Sequence, residues 1–253
     1  MGNKRNKQDL PSIFKSDNQL ITGDRRIANL INKHFTTIGP KLNNLIPSSN
    51  QIATDNIQNP LNLTFSLAKI SENKTLRILQ SLKKKTSCSF DGLSNKLIKG
   101  IALGIYKPLT KVINKSIEEG ICPQNMKIAK IIPLFMSGNR EDPNNYRPIS
   151  LLPTLSKILE KVIYEQVSNY FEANFLSNFQ FGFRKRHETM HCVLNFLNNI
   201  YKNKKFKYHA AIFIDLKKAF DTVPHGLLLK KLEKYGFSKN SISWFNSYLS
   251  NRY

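Results

Sequence analysis

The spacing of apolar residues is the feature that most limits how this chain can fold. Apolar side chains recur at helical spacing over most of the chain, but they form short, nearly continuous runs over 129–135 and 208–216. Helical spacing predicts amphipathic helices, whereas short apolar runs predict strands, and the run over 208–216 fits a buried strand. The predicted helices run from Asp24 to Gly39-Pro40, from Ser71 through Leu82, over 97–101 and 109–117, onward from Ser156, over 193–200, from Pro224 to Tyr235, and over 238–249.

The composition places the chain among folded proteins with a large excess of positive charge. Of its 253 residues, 39 are Lys or Arg and 17 are Asp or Glu, which gives a net charge of +22, and 40% are hydrophobic. Disordered chains lack that much apolar content. No apolar run reaches the roughly 20 residues that a membrane helix needs, so no membrane partner is expected. The polar amino terminus has no signal-peptide pattern, and three widely spaced cysteines fit free thiols inside a cell.

The positive charge favours a polyanionic partner. Basic residues are clustered, and aromatic residues lie among them. The clusters lie at 83–85, 184–186, 202–207, 217–218 and 230–231, and the aromatic residues include Phe181, Phe183, Phe206 and Tyr208. Lysines neutralise phosphates while rings stack on bases, so this mixture is typical of proteins that bind single strands or a heteroduplex. A surface of solvated lysines is the alternative.

One carboxylate stands where a carboxylate is costly. Asp215 directly follows the apolar run Ala210–Ile214, and an ionised group at the end of a buried strand needs a cation, a metal ion or several hydrogen-bond donors. A strand end also holds a side chain on a rigid support, which suits catalysis. Taken alone, Asp215 could equally cap the next turn or pair with a nearby lysine.

Several blocks of residues occur in the order that is typical of one enzyme family. Asp215–His225 (DLKKAFDTVPH) resembles the first catalytic motif of reverse transcriptases from non-LTR (LINE-type, jockey-like) retrotransposons. Upstream, Asn145–Leu152 (NYRPISLL) and Gln180–Arg184 (QFGFR) resemble the two fingers blocks of that family, and Asp91–Leu93 and Ile131–Leu134 match weaker blocks. The resemblance extends from about residue 66 to residue 253, and the blocks are specific because they occur together in this order.

The resemblance implies an α+β, helix-rich fold with the fingers and an incomplete palm of a right-hand reverse transcriptase polymerase. Residues 1–65 would form a polar arm with one helix and a linker over 43–61, and 66–126 a helical extension. The fingers would occupy 127–205, and 206–253 would begin the palm. The implied partners are an RNA template, a DNA primer and deoxynucleoside triphosphates (dNTPs), in a ribonucleoprotein of the nucleus or cytoplasm. The oligomeric state stays open.

The resemblance also implies nucleotidyl transfer with two Mg²⁺ ions. Asp215 matches the carboxylate that bridges the ions, and the Leu216 carbonyl would be a second ligand. Phe220 matches the aromatic residue whose ring crowds a ribose 2′-hydroxyl and so favours dNTPs. Ordinary core packing is the alternative for Phe220.

Five further positions match the nucleotide and template contacts of the family. Arg147 and Lys157 would neutralise the incoming triphosphate, although Arg147 could instead form a surface ion pair. Gln180 would line the nucleotide pocket, and Gly182 and Arg184 would lie against the template.

Two departures from the family pattern bear on activity. The second carboxylate motif of the family, an aromatic-x-Asp-Asp turn, is absent, and no Asp-Asp pair occurs in the sequence. Met136 stands where the family usually carries a lysine near the template or triphosphate. The sequence therefore predicts a fragment that is inactive by itself. A non-catalytic RNA-binding remnant is the alternative function.

A zinc-protease pattern also occurs in the chain. His187 to His191 reads HETMH, and Cys192 adds another potential ligand. The pattern directly follows three basic residues that would oppose a dication, and no third ligand follows at the usual spacing. We therefore interpret it as a chance match.

Overall fold

The computed structural model describes residues 10–16, 19–43, 62–206, 208–216 and 218–252. The elements in chain order are β1 (Ile13–Ser16), β2 (Gln19–Thr22), α1 (Asp24–Asn43), α2 (Glu72–Gln80), α3 (Asn95–Gly100), α4 (Ala102–Glu119), β3 (Lys130–Phe135), β4 (Tyr146–Leu151), α5 (Thr154–Asn174), α6 (Thr189–Lys202), α7 (His225–Lys234) and α8 (Lys239–Leu249). The predicted mixture of helix and strand, rich in helix, is confirmed. No helix within these ranges is long and apolar enough to cross a membrane.

Four helix ends lie at the residues that signalled them in the sequence, whereas α4 begins at Ala102, seven residues before its predicted start. Ser71 and Ser238 cap α2 and α8, each accepting a hydrogen bond from the backbone N–H three residues later, at 3.2 and 3.3 Å. Gly120 and Gly236 follow α4 and α7 with φ of +65° and +86°, a left-handed conformation that glycine adopts without strain. Local sequence therefore sets these four helix ends.

The described residues divide into two compact units, with the boundary inside α5. One unit contains the described residues up to Val162 together with those from Ala219, and the other contains Ile163–Lys218. Within the first unit, the antiparallel hairpins β1–β2 and β3–β4 share a small core with α1. Its buried members are Phe14, Ile27, Ile31 and Tyr146.

A helical core forms the larger part of the first unit. Trp244 of α8 is 1% exposed, and its indole N–H donates to Ser116 Oγ of α4 at 2.9 Å. Asn240 Nδ2 donates to the Ile117 carbonyl at 2.8 Å, so the two helices are joined by polar as well as apolar contacts. The segment before α2 also joins this core, because the Phe65 N–H donates to the Gly236 carbonyl at 2.8 Å.

The amino-terminal arm differs in part from its prediction. The hairpin β1–β2 was not predicted. The predicted end of the first helix at Gly39-Pro40 is wrong, because α1 continues to Asn43. Gly39 is buried, and tertiary packing outweighs the low helix propensity of glycine and proline there. The predicted linker over 43–61 lies outside the described residues beyond Asn43.

Candidate functional site

The segment that carries Asp215 does not have its predicted secondary structure or burial. Residues 208–216 form no strand, and Ile212, Phe213 and Ile214 are 84–89% exposed. The predicted buried strand is therefore wrong. A strand satisfies its backbone N–H and C=O groups only through neighbouring strands, and no described residue pairs with this segment. Asp215 is exposed and forms no ion pair with any described residue. Among the described residues, the alternative of a pair with a nearby lysine therefore finds no support.

Phe220 belongs to the first unit and lies in a turn. The turn covers 218–222, where Lys218 has a φ of +53° and the Thr222 hydroxyl donates to the Ala219 carbonyl at 3.2 Å. The Phe220 ring is exposed, so the core-packing alternative is wrong. Its contact with a sugar stays a prediction.

Arg147 and Lys157 lie on two consecutive elements of the first unit. Arg147 is on β4, opposite Leu134 in the hairpin register, and Lys157 is in the first turn of α5. Both side chains are exposed, and neither forms an ion pair with a described residue. The ion-pair alternative for Arg147 therefore finds no support within the described chain. Both cations remain accessible to an anion.

The first turn of α5 is anchored to one of the weaker family blocks. Thr154 Oγ1 lies 3.1 Å from the Leu93 carbonyl and 2.9 Å from Asn95 Oδ1. Asp91 Oδ1 accepts a hydrogen bond from the Leu93 N–H at 3.1 Å, which closes a turn. The block at 91–93 thus supports the helix that carries Lys157.

Gln180, Gly182 and Arg184 come together in the loop between α5 and α6. Gln180 Nε2 donates to the Gly182 carbonyl at 3.0 Å, and Arg184 Nη1 donates to the Gln180 carbonyl at 3.1 Å. The Arg184 side chain is only 8% exposed and forms an ion pair with Glu172. Hydrogen bonds from Arg184 lower the pKa of the Glu172 carboxyl, and the same bonds raise the pKa of the Arg184 guanidinium.

The zinc-protease pattern has a structural role at the start of α6. Glu188 precedes the helix as its N-cap, its side chain accepts from the His191 N–H, and His191 Nδ1 accepts from the Glu188 N–H at 3.1 Å. His187 lies before the helix, and its Nδ1 is 2.9 Å from the Lys185 carbonyl. The two histidines therefore do not share one helical face. No cluster of three potential metal-ligating side chains occurs in the described ranges.

Some aromatic residues in the basic clusters have intramolecular partners. Lys204 Nζ lies 5.1 Å from the centre of the Tyr201 ring, and Lys205 Nζ lies 5.3 Å from that of Phe206. Cation–π contacts of this kind occupy one face of each ring. The rings of Phe179 and Phe183, in the loop that holds Gln180, are 73% and 83% exposed.

Two side-chain contacts in this region could not be read from the sequence. Glu172, the partner of Arg184, lies on the preceding helix, and no sequence motif marks it as an ion-pair partner. Glu160 of α5 accepts a hydrogen bond from the Tyr248 hydroxyl at 2.5 Å, and Arg252 Nη2 lies 3.6 Å from the same oxygen. Glu160 therefore joins α5 to the end of α8.

Comparison with known proteins identifies the family of this region. A family model described as reverse transcriptase (RNA-dependent DNA polymerase) matches residues 137–253. A probable RNA-directed DNA polymerase from transposon BS of Drosophila melanogaster is 29% identical over 237 residues, which cover 92% of this chain. The RNA-directed DNA polymerase from mobile element jockey of the same species is 30% identical over 183 residues, or 70% of this chain.

A third relative extends the similarity beyond Drosophila. The Pol polyprotein from type-1 retrotransposable element R1 of Bradysia coprophila is 24% identical over 201 residues. The chain spans 26% of the length of the transposon BS protein and 20% of the jockey protein. Residues 137–253 contain NYRPISLL, QFGFR and the Asp215 motif in one matched segment. This segment therefore belongs to the reverse transcriptase family of non-LTR retrotransposons.

Proposed function

We propose that this chain forms part of an RNA-directed DNA polymerase that copies RNA with dNTPs by two-metal nucleotidyl transfer. The observation that carries the proposal is the Asp215–His225 motif, which follows two fingers blocks in the expected order inside the matched segment. In this assignment 127–205 are the fingers, and 206–253 begin the palm of a right-hand polymerase. Both remain proposals.

Arg147 and Lys157 are the proposed triphosphate contacts. Each is exposed and lacks an ion-pair partner among the described residues, so neither must break an existing ion pair to bind an anion. Arg147 is held by a six-residue strand pairing with β3, and Lys157 by the first turn of α5. Rigid supports of this kind favour charge stabilisation in a transition state.

The donors at Asp215 fit Mg²⁺ in type but not in number. The Asp215 carboxylate and the Leu216 carbonyl provide hard oxygen ligands, which Mg²⁺ prefers, and the exposed position allows access. A bound pair of ions would activate a primer hydroxyl and stabilise the triphosphate charge. One carboxylate with one carbonyl does not provide the donors for two ions, so no catalytic step is assigned to the described residues alone.

The missing donors favour inactivity of this chain by itself. No Asp-Asp pair occurs in its sequence, and Met136 replaces a cation that the family usually carries. The same two features favour the second candidate, a non-catalytic RNA-binding protein. Both candidates use the basic surface, so RNA binding alone does not separate them.

Primer extension in a chimeric polymerase separates the two candidates. The aligned segment of the jockey polymerase is replaced by this chain, and incorporation of dNTPs is measured on a primed RNA template. A catalytically competent segment supports extension that requires Mg²⁺, whereas this chain alone gives none. A chimera that binds RNA but never extends the primer contradicts the polymerase proposal and favours the binding protein.

A further inference from the structure

One arginine fixes the loop that joins α5 to α6. Arg184 Nε donates to Glu172 Oε2 at 3.0 Å, and Nη2 donates to the other oxygen of the same carboxylate at 2.5 Å. Nη1 donates to the carbonyls of Ser177 and Gln180 at 2.7 and 3.1 Å. Four of the five guanidinium N–H groups are thus used within this unit. Arg184 therefore has no pair of free N–H groups with which to bind a phosphate in the bidentate manner.

The fixed loop turns a phenylalanine towards solvent. Phe183 has a φ of +61°, which bulky residues rarely adopt and which persists only where surrounding contacts enforce it. The residues around it supply those contacts, because Gln180 Nε2 donates to the Gly182 carbonyl and Arg184 anchors the other side. Phe183 is 83% exposed as a result.

The exposed rings lie in a strongly positive stretch of chain. Phe179 is 73% exposed, and the side chains of Lys185 and Arg186 are exposed directly after the Arg184 anchor. No Asp or Glu occurs from Ala173 to His187. Exposed rings beside exposed cations provide the two contacts that single-stranded nucleic acid requires, base stacking and phosphate neutralisation.

We propose that Phe179 and Phe183 stack on unpaired bases of the RNA template, while Lys185 and Arg186 neutralise the phosphates beside them. Arg184 is then a positioning residue that holds the loop and does not contact RNA. This inference rests on the proposed function, because it identifies the template contacts of that site. It reassigns Arg184 from the template role that the family resemblance implies.

Binding of two matched RNA ligands tests the stacking contact. Fluorescence anisotropy of the full chain is measured with a short labelled oligouridylate and with an abasic strand of the same length and charge. Stacking predicts that the chain binds the base-bearing strand about 5- to 150-fold more tightly. The F179A/F183A double variant loses this preference, whereas F183W keeps it. F90A, which removes an exposed ring from the other unit, leaves the preference unchanged.

The salt dependence of binding tests the roles of the basic residues. K185A/R186A weakens the binding of both RNA ligands equally. It also makes the decrease of log affinity with log salt less steep, by about one to two in slope. R184A abolishes the base preference without changing that slope. R184K behaves like R184A, because lysine keeps the charge but cannot form the forked bonds to Glu172. If R184K restores binding and R184A lowers the slope, Arg184 contacts phosphate and the positioning role is wrong.

The remaining outcomes separate this inference from the proposed function. A chain that binds both strands equally contradicts only the stacking contact, as does a preference that survives in F179A/F183A. A chain that binds neither strand contradicts the template surface itself. If the double variant keeps the base preference but loses self-association in sedimentation, the rings form a protein contact and the inference is overturned. Both rings are exposed, so unchanged circular dichroism is expected for every ring variant.

Discussion

The α4–α8 core and the segment 208–216 both contain large apolar residues, but these residues are buried in the core and exposed in the segment. Ile113, Ile117 and Trp244 are buried in the core, whereas Ile212 and Phe213 are exposed. A helix satisfies its backbone hydrogen bonds within itself and needs only a packing surface. A strand needs neighbours for the same bonds. The part of the chain that folds from local signals is therefore the scaffold. The segment with Asp215, the proposed catalytic carboxylate, would need neighbouring strands to form a strand itself.

The largest expected effect comes from removing the centre of the scaffold. Trp244→Ala leaves a cavity in the core and removes the donor to Ser116, so we expect the free energy of unfolding to fall by about 3–5 kcal/mol. The matched variant Phe213→Ala, which truncates an exposed ring, changes it by less than about 0.5 kcal/mol. Urea denaturation monitored by circular dichroism provides both values. Equal losses in the two variants contradict the proposed difference between the regions.

The next effect is a loss of scaffold stability at high pH. Burial, reinforced by the hydrogen bond to Glu160, raises the pKa of Tyr248 from 10.0 to about 12. The unfolded chain therefore releases this proton first, so the stabilisation is complete below pH 10 and is lost as the pH rises towards 12. After allowance for solvent screening, we expect a loss on the order of 1–2 kcal/mol.

Tyr248→Phe is the control for this titration, because it keeps the ring and removes the hydroxyl. The difference in unfolding free energy between wild type and variant should shrink between pH 10 and pH 12. A constant difference over that range contradicts a raised pKa for Tyr248.

Thiol accessibility distinguishes the two regions without any change to the core. Burial raises the pKa of Cys122 to about 11, so little reactive thiolate exists at pH 8. Cys192 on α6 and Cys88 are exposed. We expect maleimide to label Cys122 more than about tenfold more slowly than the other two, as measured by mass spectrometry of peptides. Equal labelling of Cys122 and Cys192 indicates that the scaffold opens as readily as the second unit.

The smallest effect is expected at the tip of the β3–β4 hairpin. Met136 is exposed, and its N–H donates to the Asn145 carbonyl at 2.9 Å, which a lysine at this position would preserve. Met136→Lys should leave stability within about 0.5 kcal/mol. In the chimeric polymerase it should raise the extension rate by about two- to threefold, because it restores the cation that the family carries near the template or triphosphate. Met136→Gln, which adds no charge, should leave the rate unchanged.

Local signals in the sequence predicted the helices and one strand of the structure. Ser71, Ser238, Gly120 and Gly236 set helix ends through their own backbone and side-chain chemistry, and β3 follows its apolar run. The β1–β2 hairpin also had a signal, since Asp17-Asn18 lies between two apolar pairs.

Contacts between distant residues explain what the sequence did not predict. The bonds from Arg184 to Glu172 join a loop to the preceding helix, and no local sequence pattern predicts that these two residues pair. The Tyr248–Glu160 contact joins residues 88 positions apart. For the candidate site, family resemblance proposed Asp215, Arg147 and Arg184, but only the structure distinguished the exposed Arg147 from Arg184, which is ion-paired with Glu172.

Asp215 provides the most direct test of the central claim. In the chimeric polymerase, Asp215→Asn and the matched variant Asp221→Asn each remove one charge from the same eleven-residue motif. If Asp215 holds catalytic Mg²⁺, its variant lowers primer extension at saturating Mg²⁺ by at least about a hundredfold, and Asp221→Asn stays within about twofold. Equal activity of the two variants would contradict the assignment of this chain to two-metal polymerisation through Asp215.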